Sequence, residues 1–214
     1  MEASRMGPRE ADVAPAPAAE PTGGRAMGWT PADPGPLGLA GFAGTTFVLS
    51  LVNANLVGIR SIGAVLPLAL AYGGLAQLLA GMWEFRTGNT FGAVAFSSFG
   101  AFWISFYILV KVVGLTVVGP HGVALYLWMW AIFTTYMFLA SLRTTAAVSL
   151  VFLLLAATFI LLAIGDMGSG HTSITHAGGY VGIVTAAAAW YASFPAVINS
   201  TFGRVIAPVV PLRR

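Results

Sequence analysis

The chain has 214 residues, 57% of them hydrophobic and 8% charged, with a mean hydropathy of +0.84 and a formal net charge of +3. A soluble domain carries about 25% charged residues, so this composition excludes an ordinary soluble globular protein and implies an integral membrane protein. The absence of cysteine excludes a disulfide framework, a thiolate nucleophile and a cysteine metal site, and a small positive charge gathered at the ends of apolar runs suits lipid headgroups and excludes a nucleic-acid partner.

Residues 1–29 mix Pro, Ala, Gly and both signs of charge. They offer too little apolar surface to offset the entropy of ordering, which predicts a disordered cytoplasmic tail. No unbroken apolar segment precedes Pro36, so a cleavable secretory signal is not expected and the first span serves as the signal. The stretch TPADPGPLGLAGF then crowds three prolines ahead of a long apolar run. Asp33 is a suitable N-cap and Pro34 suits the first helical position, where a missing N–H costs nothing, so the prolines start the first helix and do not break it. The same N-terminus could instead offer its N–H groups to an anion, although Asp33 would itself occupy those donors.

A window of about 20 residues, the length that crosses the bilayer core as a helix, finds six spans: 36–57, 65–83, 91–113, 123–142, 146–164 and 175–194. Together they predict a six-helix transmembrane domain over residues 30–208, followed by a short basic tail over 209–214. The breaks fall at Gly58 to Ser61, Glu84 to Asn89, Gly119 to Gly122, Arg143 to Thr145 and Gly165 to Gly170, each rich in loop-forming residues. If both termini are cytoplasmic, the inside holds Arg25, Arg86, Arg143, Arg204, Arg213 and Arg214, and the outside only Arg60 and Lys111. The positive-inside rule therefore favours that topology, in a cell membrane.

Within the spans, Phe42, Thr46, Ser50 and Asn53 share one helical face, Gly73, Gln77, Gly81 and Glu84 another, and Thr175, Gly178, Gly182 and Thr185 a third. Small residues at such spacing suit close helix packing. Gln77 admits two readings, a packed amide or one lining a hydrated path, because a primary amide in mid-span is costly to leave without partners. Neither Glu84 nor Asp166 falls in mid-span, and no Lys or Arg does. A fixed-charge relay is not expected, and a permeating anion would meet hydroxyls, amides and helix ends or cross as its neutral acid. His171 and His176 are five residues apart and His121 lies in another loop, so no metal site is expected. Gly168-Ser169-Gly170-His171 lacks the strand-turn-helix context of a hydrolase nucleophile. No catalysis and no cofactor are anticipated; His176 reads as an interfacial residue or as part of a pore mouth.

The residues from Asp33 to Leu39, Asp-Pro-Gly-Pro-Leu-Gly-Leu, resemble the Asn-Pro-Ala-Pro-Leu-Gly-Leu signature of the acetate uptake transporter family. Tyr72 to Gln77, Ala80 to Glu84, Gly88 to Gly92, Ala95 to Trp103, Leu161 to Gly165, His176 to Gly178 and Phe202 to Arg204 resemble further family blocks in the same order. The resemblance covers residues 33 to about 208. It implies an all-α protomer of six transmembrane helices, a ring-shaped homohexamer in the bilayer, and one pore per protomer for acetate and, in some members, succinate. Block by block, it implies a constriction of Phe42, Phe99 and Leu155, with Gln77 among the polar pore residues. The path would also draw on Thr46, Ser50, Ser98 and His176, and the N-terminal motif on Asp33, Pro34, Pro36, Leu37 and Gly38. Three departures stand out: Asp33 for Asn, Gly35 for Ala, and Phe99 where bacterial relatives carry Tyr. A carboxylate at Asp33 repels an anion, and Phe99 leaves the constriction drier. Those departures feed a rival reading, a poorly conducting sensor or scaffold of the same fold; an ammonia channel would fit the uncharged interior.

Overall fold

The computed structural model describes Trp29, residues 31–167 and residues 171–212. The expected tail lies outside the described residues except for Trp29, as do Gly168, Ser169, Gly170, Arg25, Arg213 and Arg214. From Pro31 onward the described residues form an all-helical unit with six stretches long and apolar enough to cross a membrane.

The first is α1 (Gly35–Asn53). Pro34 is its cap residue, one position later than the sequence suggests, because the Pro34 carbonyl already accepts the first helical bond, from Gly38 N–H at 3.2 Å. Asp33 still serves the helix start, its Oδ1 accepting from Gly35 N–H at 2.9 Å. The helix stops at Asn53, four residues before the expected end, where Asn55 turns into the left-handed region at φ 57°.

The second stretch runs over Ile59–Thr87 in pieces. After a 3₁₀ turn come α2 (Ile62–Leu70), one wide π turn (Ala71–Ala76) and α3 (Gln77–Thr87). Pro67 withholds one helical N–H, and the wider turn follows it. There Gly73 lies so close to α1 and α4 that a Cβ would stand 2.6 Å from Thr45 Oγ1 and 2.8 Å from Trp103. The π turn thus seats the start of α3, and Gln77 with it, against two neighbouring helices. The sequence break expected at Glu84 comes later: α3 continues to Thr87 and turns at Gly88 (φ 77°), so Glu84 lies inside a helix and is 2% exposed.

Asn89 caps α4 (Thr90–Tyr107) by accepting from Gly92 N–H, and a second π turn (Ile108–Val113) completes the third stretch. The loop expected at 119–122 shrinks to a single break in α5 (Leu115–Ser141). Gly119 leaves helical geometry at φ 69° and ψ 168°, and Pro120 restarts the helix so that His121 and Gly122 are helical. Thr145 caps α6 (Ala146–Asp166). Finally, α7 (Thr172–Phe202) runs eight residues past the expected end, through Pro195 to Gly203 in the left-handed region. The window misses this extension because Pro195, Asn199, Ser200 and Thr201 lower hydropathy; just before it, the Ser193 hydroxyl donates to Pro36 O at 2.8 Å.

In the bundle α5 packs on α6, α6 on α7, α7 on α1, and α1 on the α2–α3 stretch, which packs on α4. The α4–α5 seam is closed by Tyr126, whose hydroxyl donates to Phe102 O at 3.1 Å and pairs with Ser105 at 2.8 Å. Tight glycine contacts draw α7 in: a Cβ on Gly179 would collide with the Asn53–Ala54 backbone, and one on Gly182 with Ser50 Oγ. Beyond α7, residues 206–212 fold back. Asn199 accepts from the N–H groups of Ile206 and Ala207 and donates to Ala207 O. Ala146 N–H donates to Val210 O and Leu212 N–H to Thr144 O. Most of the sequence assigned to a basic C-terminal tail is therefore fastened to the turn between α5 and α6.

Candidate functional site

Four helices meet around an apolar cavity of about 20 Å³, room for about one water. Leu39 and Phe42 come from α1, Gln77 from α3, Ala95, Phe96 and Phe99 from α4, and Val151, Phe152 and Leu155 from α6. The residues expected at a constriction, Phe42, Phe99 and Leu155, thus line one space together with Gln77. All four are buried.

Phe99 is the centre of the aromatic packing here. Its ring lies 5.8 Å from Phe42, 5.3 Å edge-on from Phe133, 6.0 Å from Phe152 and 6.5 Å in a stack with Phe159. Such offset and edge contacts hold a ring in place by more than its buried area. Phe99 is thus packed on several sides by aromatic rings.

Gln77 is the one polar residue in that lining. It is 1% exposed, and its Oε1 has no hydrogen-bond partner. A buried amide oxygen without a partner costs about 1–3 kcal/mol, so the native fold holds an unmet acceptor against an otherwise apolar cavity. Two more orphan hydroxyls stand on the same helices: Thr46 on α1 and Ser97 on α4.

The other expected path residues divide. Ser50 is buried against Gly182 on α7. Ser98 and His176 are half-buried and line neither this cavity nor the larger groove described below. Ser98 points a quarter turn or more from Phe99 on its helix, which is why sequence adjacency misleads there. In the N-terminal motif Pro34 and Gly38 are buried, Pro36 is half-buried, and Leu37 and Asp33 are exposed. Gly38 gives up its side chain to the Phe96 ring, which a Cβ would meet at 2.6 Å. Phe96, Phe152 and Leu39 are lining residues the sequence reading missed; Leu39 falls one turn before Phe42 and Phe96 one position before Ser97, whose hydroxyl is unpartnered, but large apolar residues abound in every span.

A second, larger space of about 830 Å³ forms a groove along one end of the bundle. It is lined by Asp33, Pro36 and Leu39 of the α1 region, Thr145 to Val148 and Leu150, the Val184–Ala196 side of α7, and the folded-back residues 208–210. Leu39 belongs to both spaces. Asp33 is the one carboxylate in either lining, and no Lys, Arg or His is among them.

Glu84 lies close by. Its Oε2 accepts from Asn89 Nδ2 at 2.9 Å and from the Thr87 hydroxyl at 3.1 Å. Among the described residues no cluster of His, Asp or Glu is arranged to hold a metal ion.

The chain is similar to known membrane proteins over most of its length. The chain is 42% identical over 195 residues to acetate permease A of Emericella nidulans, covering 83% of this chain and 65% of that longer protein. It is 38% identical over 181 residues to the succinate-acetate/proton symporter SatP of Escherichia coli strain K12, covering 83% of this chain and 95% of that one. Among solved structures, that of the bacterial acetate channel SatP superposes with a TM-score of 0.78 at 36% identity, over 84% of this chain and 99% of the other. Residues 19–214 match the GPR1/FUN34/yaaH family. The chain belongs to that family, a six-helix membrane fold whose characterised relatives named above carry acetate.

Proposed function

We propose that this protein is a membrane channel or transporter for acetate and other small carboxylates. The solute passes the Phe42–Phe99–Leu155 constriction beside Gln77. One observation carries the reading: a residue lining an apolar cavity built by four helices, Gln77, has a buried amide oxygen without a partner. Stable cores do not leave such a group orphaned without a role, and an amide that both donates and accepts suits a carboxyl group in either protonation state. The names of the relatives support acetate, and that of the bacterial symporter supports succinate and proton coupling.

The apolar ring sets the size limit and excludes water, while Gln77 on α3 and the unpartnered Thr46 hydroxyl on α1 supply polar rungs. No bond of the solute changes, so neither catalytic group nor cofactor is required. The protomer assembles into a homohexameric ring with one path in each subunit, and both termini face the cytoplasm, as the distribution of arginine favours. The sensor or scaffold reading draws on Asp33 and Phe99, which make the path more acidic and drier.

Uptake of labelled acetate into proteoliposomes, with and without an imposed pH gradient and a protonophore, tests the proposal. Gradient-stimulated uptake that the protonophore abolishes supports proton-coupled transport, and gradient-independent uptake supports a channel. Uptake no faster than in protein-free vesicles favours the scaffold. Single cysteines at Ser61 and Thr144 test the orientation in intact cells: an impermeant thiol reagent should label the first and spare the second.

A further inference from the structure

We infer that Asp33 is a charge-selectivity residue that disfavours dicarboxylate dianions relative to monocarboxylates, so that this chain carries acetate in preference to succinate. The inference rests on the carboxylate path proposed above and names its substrate class more narrowly.

Asp33 lines the large groove, which shares Leu39 as a wall with the constriction cavity. A solute entering from that end passes its carboxylate before reaching Gln77. A second carboxylate stands behind the first: Asp33 Oδ1 and Glu84 Oε1 lie 3.0 Å and 3.6 Å from the one point where a Cβ on Gly35 would be. Gly35 N–H donates to Asp33, but no Lys, Arg or His in the lining of either space pairs with this negative end.

Further in, the single polar lining group is the unpartnered Gln77 amide in a space of about 20 Å³. One amide can receive one carboxyl head. The second carboxylate of succinate would then lie in the Phe42–Phe96–Phe99 ring or reach back toward Asp33, and both positions are unfavourable for an anion. Acetate has no second head and escapes that penalty. A dianion also feels the Asp33 charge twice as strongly as a monoanion. With water-like screening at about 4–5 Å, the extra charge lowers the succinate-to-acetate ratio about fourfold to sixfold.

The test is uptake of labelled acetate and labelled succinate by the wild-type protein and Asp33 variants in proteoliposomes near neutral pH, at low and high ionic strength. Asp33→Asn and Asp33→Ser keep a side-chain acceptor for Gly35 N–H, so the helix start survives; Asp33→Glu keeps the charge. We expect both neutral variants to raise the succinate-to-acetate uptake ratio about fourfold at low salt. The gain should shrink at high salt as screening shortens the reach of the charge, and Asp33→Glu should stay near the wild-type ratio. A ratio unchanged in both neutral variants, or acetate and succinate falling in proportion, overturns the charge filter while leaving acetate transport intact. Absence of acetate uptake by the wild type would instead overturn the transport reading, and this inference with it.

Discussion

Replacing Gln77 by Leu separates a transport role from a packing role. The side chains are of similar size, and Gln77 is 1% exposed, so the substitution leaves the packed volume nearly unchanged. In the native fold Oε1 has no partner, a burden of about 1–3 kcal/mol that Leu removes. Thermal unfolding in detergent should therefore show Gln77→Leu as stable as the wild type or more stable, by roughly 1 kcal/mol. Acetate uptake should fall at least about tenfold, because losing one hydrogen bond to a solute carboxylate costs about 1.5–3 kcal/mol. Gln77→Asn, with a shorter reach, should retain part of the uptake. A Gln77→Leu protein that is destabilised but transports acetate normally would refute the reasoning, since the amide would then be a structural group.

Phe42→Ala should widen the ring and let larger acids compete with labelled acetate. Its stability cost should fall toward the lower end of about 3–5 kcal/mol, since one side of the ring already borders a cavity. Phe99→Tyr adds a hydroxyl to a lining whose polar member is Gln77; acetate uptake should rise, and the size series in competition assays should not shift. Gly179→Ala places a methyl group against the Asn53–Ala54 backbone, which cannot swing aside as a side chain can, so the melting temperature should drop with a loss of about 1–3 kcal/mol.

The six spans were legible because hydropathy and length alone identify membrane-crossing helices. Their internal irregularities were not. The π turn at Ala71–Ala76 depends on where Pro67 and the Gly73–Thr45 contact fall in three dimensions, and a hydropathy window passes over both. The ends moved for local reasons: Asn55 stops α1 early by taking a left-handed conformation, and Ser193 lets α7 continue by donating to Pro36 O. Glu84 looked like a loop residue because a carboxylate beside Arg86 and Gly88 usually is. Instead Asn89 and Thr87 hold it inside the helix end, next to the start of α1.

At the site, helical spacing put Phe42, Thr46 and Ser50 on one face, and the structure buries all three. Family resemblance, and not spacing, brought in Phe99 and Leu155, which lie on other helices and join Phe42 only in the folded bundle. Phe96 and Phe152 carry no such mark, because an aromatic residue in an apolar span reads the same whether it faces the cavity, a neighbour or lipid. Asp33 was visible as a departure from the family signature, but its place in the groove and its approach to Glu84 depend on how α1 meets α3 and α4.

The cysteine-free chain makes it possible to ask directly whether acetate passes through the small cavity. Ala95 lines it and is buried, so Ala95→Cys sets one small thiol against the path, to be modified with a small thiol reagent during acetate uptake into proteoliposomes. The account predicts that modification stops uptake, that acetate slows the modification, and that the wild-type protein ignores the reagent. Complete modification of Ala95→Cys with acetate uptake unchanged would contradict it.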